Sequence, residues 1–451
     1  MDVALPPRYR RYSTTRHGPV PYSGDELPPY TRRNTLTQPI ARREPTEHIY
    51  FLTERNRPFV TLKLYSSAKS CTSLPTFFEK ENISGTLEIN AEKGDSISSI
   101  TATVTGRMIT GAHSGDGFKF LSQSIPIWSK SPNVPRVPSP SDGASKSKLL
   151  GRCEWPLSIP LSRTVTVPNE SGSPHTYSLP ETFLERHTAA SIQYDFTIYI
   201  SRGMLRSDSQ IKTAFGYVPS IRPEQASLLR QLSYQQNTPL AGPSIDPEGW
   251  KTLRAVSARA LMFRSRQVEV QCLLSLAKPL SYTRGTTLPC FLTLKGAKED
   301  TLDLFASHSA PVLKLQRCVR FFSKTSSPVE GLHGPWNETV ENIASAVWWP
   351  SAGTDDPPGV RHLEGEIKLG KDLRPTTSIG RFSVTYHVVL CPFNMPHSSS
   401  EDRSLLSEPV EIATMHARGP RPRAYSPPAY TSPSRPDEHY HTGLVNVGLL
   451  L

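Results

Sequence analysis

FVTLKLY, residues 59–65, alternates Val60, Leu62 and Leu64 with Thr61 and Lys63, and SITATVTG, residues 99–106, repeats the pattern with Ile100, Ala102 and Val104. A period of two sends successive side chains to opposite faces of an extended chain, so both stretches read as half-buried strands. Working outward, the same texture recurs in IYFL around Ile49, ISGTLEI from Ile83, FLSQSIPIW from Phe120 and GRCEWPLSIPL from Gly151. It returns in SIQYDFTIYISRG from Ser191, where Tyr194, Phe196, Ile198 and Ile200 share one face. Short alternating runs without helical spacing imply sheet packed on sheet, an all-β chain.

A second strand series follows in VEVQCLLSLA from Val268, TTLPCFLTLKG from Thr286, APVLKLQRCVRFF from Ala310, HLEGEIKLG from His362 and GRFSVTYHVVLCPF from Gly380. The two series predict two immunoglobulin-type β-sandwich domains in tandem, over residues 46–203 and 255–397. Between them lies a 204–254 linker in which RPEQASLLRQLSYQQ, residues 222–236, predicts a short helix with its proline at the start. Residues 129–148 and 323–359 are rich in Ser, Pro and Gly and read as loops, which leaves Trp348 and Trp349 without an assigned place. Residues 1–45 and 398–451 lack a hydrophobic period. They predict disordered tails, because they bury too little apolar surface to offset the entropy of ordering.

Lys+Arg 51 against Asp+Glu 40 gives 51 − 40 = +11. Much of the excess sits in the tails, at Arg8, Arg10, Arg11, Arg16, Arg32, Arg33, Arg42 and Arg43 and at Arg418, Arg421 and Arg423. A nucleic-acid surface would interleave such cations with aromatics on one sheet face, so no nucleic-acid partner is expected, whereas an anionic membrane surface is compatible with basic tails. Six scattered cysteines without a CxxC pair read as reduced core thiols. The start MDVALPPRYRRY has no apolar leader and no stretch approaches ~18 continuous apolar residues, which predicts a cytoplasmic protein. No GxSxG, P-loop, HExxH or GxGxxG occurs, and His113, His308, His333, His362 and His387 are scattered without ligand spacing. No catalytic residue, cofactor or metal is therefore expected.

The chemistry-bearing motifs lie in the tails. They are PPRY at Pro6, Pro7, Arg8 and Tyr9, LPPY at Leu27, Pro28, Pro29 and Tyr30, and PPAY at Pro427, Pro428, Ala429 and Tyr430. Proline pairs preform a polyproline helix that fits the aromatic groove of a WW domain at low entropic cost, and the tyrosine ring fills the adjoining pocket. With 43 Pro and 16 Tyr in 451 residues, chance gives about 0.14 PPxY per chain, so two exceed it. Several weak motifs on one chain gain from effective concentration when a partner carries several WW domains. Ser13 and Thr35 follow arginine pairs, and Ser426 and Ser432 precede prolines, which marks the four as candidate phosphorylation sites.

VTLKLYSSAK, ISGTLEI, ISSITATVTGRMITG and SIQYDFTIYISRG resemble the arrestin N-domain pattern, and KPLSYTRGTTLPCFLTLKG through Gly380–Phe393 resembles the arrestin C-domain. The interdomain text from Arg222 to Trp250 is similar to that of arrestin-like proteins from mushroom-forming fungi, which implies a fungal source. The likeness spans roughly Thr46 to Arg418, and with the PPxY motifs it points to the α-arrestins, the arrestin-related trafficking adaptors. It implies an adaptor that is not an enzyme, bringing a WW-domain HECT ubiquitin ligase to membrane transporter or receptor cargo for ubiquitination and endocytosis. It further implies recruitment to the plasma membrane or endosomes. Pro6, Pro7, Tyr9, Leu27, Pro28, Tyr30, Pro427, Pro428 and Tyr430 would be the ligase contacts; motifs at the N-terminal end depart from the usual pattern. Other jobs for the same fold are a scaffold for a plasma-membrane sensor in signalling and an endosomal sorting coat subunit.

Overall fold

The computed structural model describes residues 44–428 and 430, apart from 55–56, 92–96, 111–116, 132–148, 150, 187, 204–206, 263–265, 297, 323–335, 352–355 and 396–403. The expected tail over residues 1–45, all but its last two positions, most of the 129–148 loop and residues 431–451 lie outside the described residues.

The first strands are β1 (Thr46–Glu54), β2 (Arg57–Ser66), β3 (Thr76–Phe78), β4 (Ile83–Ala91), β5 (Ile97–Thr110) and β6 (Gly117–Ser129). They continue with β7 (Gly151–Ile159), β8 (Thr164–Pro168), β9 (Pro174–Ser178), β10 (Ala190–Arg202) and β11 (Ser209–Val218). One sheet runs β1-β2-β4-β7, a second runs β3-β11-β10-β5-β6, and β8 pairs with β9 as a hairpin. The expected alternation is met: Ile97, Ile100, Ala102, Val104 and Met108 of β5 are buried, as are Val60, Leu62 and Leu64 of β2. Tyr194 of β10 lies against Phe120, Phe215 and Tyr217, and its hydroxyl donates to Pro180 O at 2.7 Å, so this buried phenol is satisfied.

The second set begins with helix α1 (Leu228–Gln236) and then β12 (Trp250–Thr252), β13 (Val256–Met262), β14 (Arg266–Ala277), β15 (Ser281–Thr283) and β16 (Thr287–Lys295). After helix α2 (Glu299–Phe305) come β17 (Leu313–Phe322), β18 (Trp336–Pro350), β19 (Val360–Lys368), β20 (Thr377–Ile379), β21 (Phe382–Leu390) and β22 (Leu406–Ala413). They form one eleven-stranded curled sheet in the order β12-β14-β16-β19-β18-β17-β21-β22-β15, with β13 on β14 and β20 on β21. The fold is all-β, as the alternation predicts. Backbone pairing keeps the two sets apart, but one continuous cluster of buried apolar side chains runs from Phe59 to Ile412.

Four expectations need correction. The linker does not begin at residue 204, because β11 pairs along β10 from Tyr194↔Phe215 to Ile200↔Ser209. The helix starts later than its proline suggests: Ser227 is the N-cap, its hydroxyl accepting the Arg230 amide at 3.3 Å, and Asn237 closes the helix in the left-handed region. The second strand series does not end at residue 397, and 398–451 is not disordered throughout as expected, since β22 pairs with β21 from Tyr386↔Val410 to Leu390↔Leu406 and in parallel with β15. Finally, part of the expected 323–359 loop is the fifteen-residue strand β18. Most of β18 is exposed or half-buried and shows no clean alternation, so its signal is weak until Trp348 and Trp349.

Trp348 is 1% exposed and rests on Gly365 of β19, where an added Cβ would come within 2.5 Å of the indole. Trp348→Ala should lower unfolding free energy by about 3–5 kcal/mol through the cavity it leaves, and Gly365→Ala by about 1–3 kcal/mol through overpacking. Denaturant titration followed by tryptophan fluorescence reads both. Equal stability in Trp348→Ala would show that the strand is held by its ladder alone.

Candidate functional site

Of the tail residues singled out in the sequence, Pro6, Pro7, Tyr9, Ser13, Leu27, Pro28, Tyr30, Thr35 and Ser432 lie outside the described residues. Ser426, Pro427, Pro428 and Tyr430 are described, and they end a segment docked along the second strand set.

That segment leaves β22 at Thr414. The amides of Thr414 and Met415 both donate to Ile221 O, at 3.1 and 2.8 Å, while the Ile221 amide donates to Thr414 Oγ1 at 2.9 Å. Arg222 donates to His416 O. Thr283 Oγ1 donates to Met415 O at 2.8 Å and Thr287 Oγ1 to Arg423 O at 3.1 Å, and the Arg423 guanidinium reaches Asn237 Oδ1 at 3.3 Å. Tyr425 stacks on Tyr234 of α1, with centroids 6.3 Å apart and planes at 20°. Burial pushes the Tyr234 phenol up to about 12, and the Tyr425 phenol is raised by the same cause. Beyond the stack, Glu366 of β19 takes two consecutive amides: Tyr425 N donates to Oε2 at 2.9 Å and Ser426 N to Oε1 at 3.2 Å.

Helix α1 is anchored by a buried arginine. Arg230, 3% exposed, donates to Lys278 O at 2.7 Å and Gly249 O at 2.6 Å, and its guanidinium lies 4.8 Å from the Trp250 ring centroid. Burial lowers its pKa, opposed by Tyr234, Tyr282 and Asp246.

The PPAY motif itself is a turn. Tyr430 N donates to Pro427 O at 3.0 Å, with Pro428 exposed at the second position, where its fixed φ suits the turn. Tyr430 is half-buried, edge-on to His308 with centroids 5.7 Å apart, and lines a cleft with Pro311, Leu313 and Trp348. No sequence signal pairs Glu366 with the motif, since the partners are some sixty residues apart in the chain.

A second polar cluster joins the two strand sets. Arg317 of β17 donates to both Glu185 oxygens at 2.8 Å and to Glu341 at 2.8 Å, while Arg284 meets Glu181 at 3.2 Å and Arg374 lies 3.7 Å from both Glu181 and Glu185. Burial raises the Glu181 carboxyl above its ordinary value, although Arg284 and Arg374 pull it down. Phe183 packs edge-on to Phe382 beside these charges.

The remaining expectations of chemistry are mixed. Cys272 and Cys290 are buried, and burial pushes the Cys272 thiol up to about 12, but Cys71 is exposed and does not belong to the core. His362 does meet a carboxylate, with Nδ1 2.6 Å from Asp356 Oδ1. Among the described residues no group of three ligands could hold a metal ion, and no helix is long and apolar enough to cross a membrane.

Arg317→Ala leaves Glu185 largely buried with a single weaker cation, so stability should fall by about 3–5 kcal/mol, and Arg317→Lys should lose less while forfeiting the two-pronged geometry. Urea unfolding of both variants reads the difference. A loss that vanishes at high salt would mean that the pair is solvated rather than buried.

No protein-family model matches this sequence, and no curated protein matches it.

Proposed function

We propose that the chain is an adaptor of the α-arrestin kind: its PPxY-type motifs recruit a WW-domain HECT ubiquitin ligase to membrane transporters or receptors, promoting their ubiquitination and endocytosis. The observation that carries this reading is the PPAY motif at the surface of an all-β body, with its prolines accessible and its tyrosine only half-buried. PPRY and LPPY near the other end add two further attachment points for a ligase with several WW domains. The two strand sets, which share no backbone ladder, support a tandem of arrestin-like sandwiches. In this reading the protein is cytoplasmic and is drawn to the plasma membrane or endosomes by its cargo, and it has no catalytic centre.

The tyrosine contributes most of the buried surface in a WW groove, so Tyr9, Tyr30 and Tyr430 changed together to Ala should abolish ligase association. Each change alone should weaken it partially, because avidity is shared. The fold should persist, Tyr430 being a peripheral ring on His308. Pull-down with isolated WW domains and cargo-uptake assays report the outcome. A triple variant that still binds ligase and still internalises cargo would discard the mechanism in favour of a sensor scaffold or sorting coat.

A further inference from the structure

Ser426 joins two features: its amide is held by a buried carboxylate, and its side chain precedes Pro427 at the head of PPAY. Glu366 is 6% exposed, and among the described residues the Tyr425 and Ser426 amides are the groups hydrogen-bonded to its carboxylate, with no Lys or Arg ion-paired to it. The clasp therefore depends on two neutral donors. Immediately after it, the Pro427–Tyr430 turn bond keeps the motif out of the extended polyproline conformation that a WW groove takes.

We infer that Ser426 is a phosphorylation site whose modification releases residues 425–430 from Glu366 and opens PPAY to a WW domain. The partner's identity rests on the adaptor reading; the release does not. Ser426 is half-buried rather than buried, and the Ser-Pro pair is the element that proline-directed kinases take. In the transfer, Ser426 Oγ bonds to the γ-phosphorus of ATP, its proton passes to the kinase base, and ADP leaves. The product carries about −1.5 to −2 charges on the very residue whose amide the Glu366 carboxylate binds. Like-charge repulsion beside a desolvated anion opposes the clasp, and between Tyr425 and Tyr430 the Tyr425–Tyr234 stack and the Tyr430–His308 contact are then left to hold the segment. Arg418, Arg421 and Arg423 offer the opposite outcome, since a phosphate captured by them would tighten the segment.

The test uses the full chain carrying Tyr9→Ala and Tyr30→Ala, so that PPAY alone is read, with phosphoserine installed at position 426 by codon reassignment. Amide hydrogen exchange at Tyr425 and Ser426 should accelerate, and affinity for an isolated WW domain should rise by about tenfold or more as the competent fraction grows. Glu366→Gln should reproduce part of both effects without phosphate and reduce what phosphate adds. Synthetic peptides spanning 424–432, plain and phosphorylated, should bind the WW domain alike, separating release from direct contact. If neither peptide binds, the adaptor reading falls and exchange alone decides the release. Exchange that is unchanged or slower in the phosphorylated chain overturns the inference, as does faster exchange with unaltered affinity when the peptides bind. A cyclin-dependent kinase with ATP should place phosphate on Ser426 of the folded chain, and mapping that finds none there overturns its assignment as a modification site.

Discussion

Strand β18 changes partners along its length. Its residues from Trp336 to Ser345 pair with β17, and those from Ala346 to Pro350 pair with β19. Without it the eleven-stranded sheet would separate into a β12-β14-β16-β19 part and a β17-β21-β22-β15 part. The crossing is fixed where Trp348 lies over Gly365, a position at which any side chain would collide with the indole. The neighbours of that glycine carry the consequence outward. Glu364 accepts the Trp349 indole N–H at 3.2 Å, and Glu366 accepts the two amides of the docked segment. One short run of β19, Glu364–Gly365–Glu366, thus closes the sheet with its central residue and holds the PPAY segment with its last.

The union of the two strand sets follows a different rule. No ladder crosses between them, so their mutual placement depends on apolar contacts, on the hydrogen bonds of Thr414 and Met415 to Ile221, and on the carboxylates of Glu181 and Glu185 among three arginines. Such clusters add little net stability over an apolar replacement, because desolvation offsets the Coulomb gain. What they contribute is selectivity: charges that are satisfied only in one arrangement penalise every other one. Arg317 shows the point, since its planar fork meets both Glu185 oxygens at equal distances and cannot do so after a small slide of β17.

Much of this was legible in the sequence. Alternation in residues 59–65 and 97–109 locates β2 and β5 because one face of each meets a core and the other does not. Good helix formers mark helix α1 in the sequence, but not its start: the early proline sits ahead of Ser227, and the cap hydroxyl decides the boundary. β18 is hidden in the sequence because a strand exposed over much of its length has no reason to alternate. β22 is hidden behind a polar, Ser-rich stretch, and its own LSEPVEIA carries a proline that reads as a breaker yet is tolerated in the ladder beside His387. For the candidate site, the PPAY motif could be found by inspection, but its Glu366 clasp could not. Composition and spacing describe neighbours in the chain, whereas the clasp depends on which strand ends beside which segment after folding.

The docked motif bears on how three attachment points would share a ligand under the adaptor proposal. A motif held as a turn presents its binding-competent form only in the fraction of molecules that have opened, so its apparent affinity is its intrinsic affinity scaled by that fraction. PPRY and LPPY would then make the first contact. Once a multi-WW ligase is tethered there, effective concentration raises the occupancy of the opened PPAY state without any change in its contacts. The hydrogen bonds of the clasp are therefore more than a local packing detail. Under that proposal their strength would set a threshold, so that PPAY would be recruited by a partner already bound and would contribute little to a solitary WW domain, a form of selectivity that the motif's own sequence does not contain.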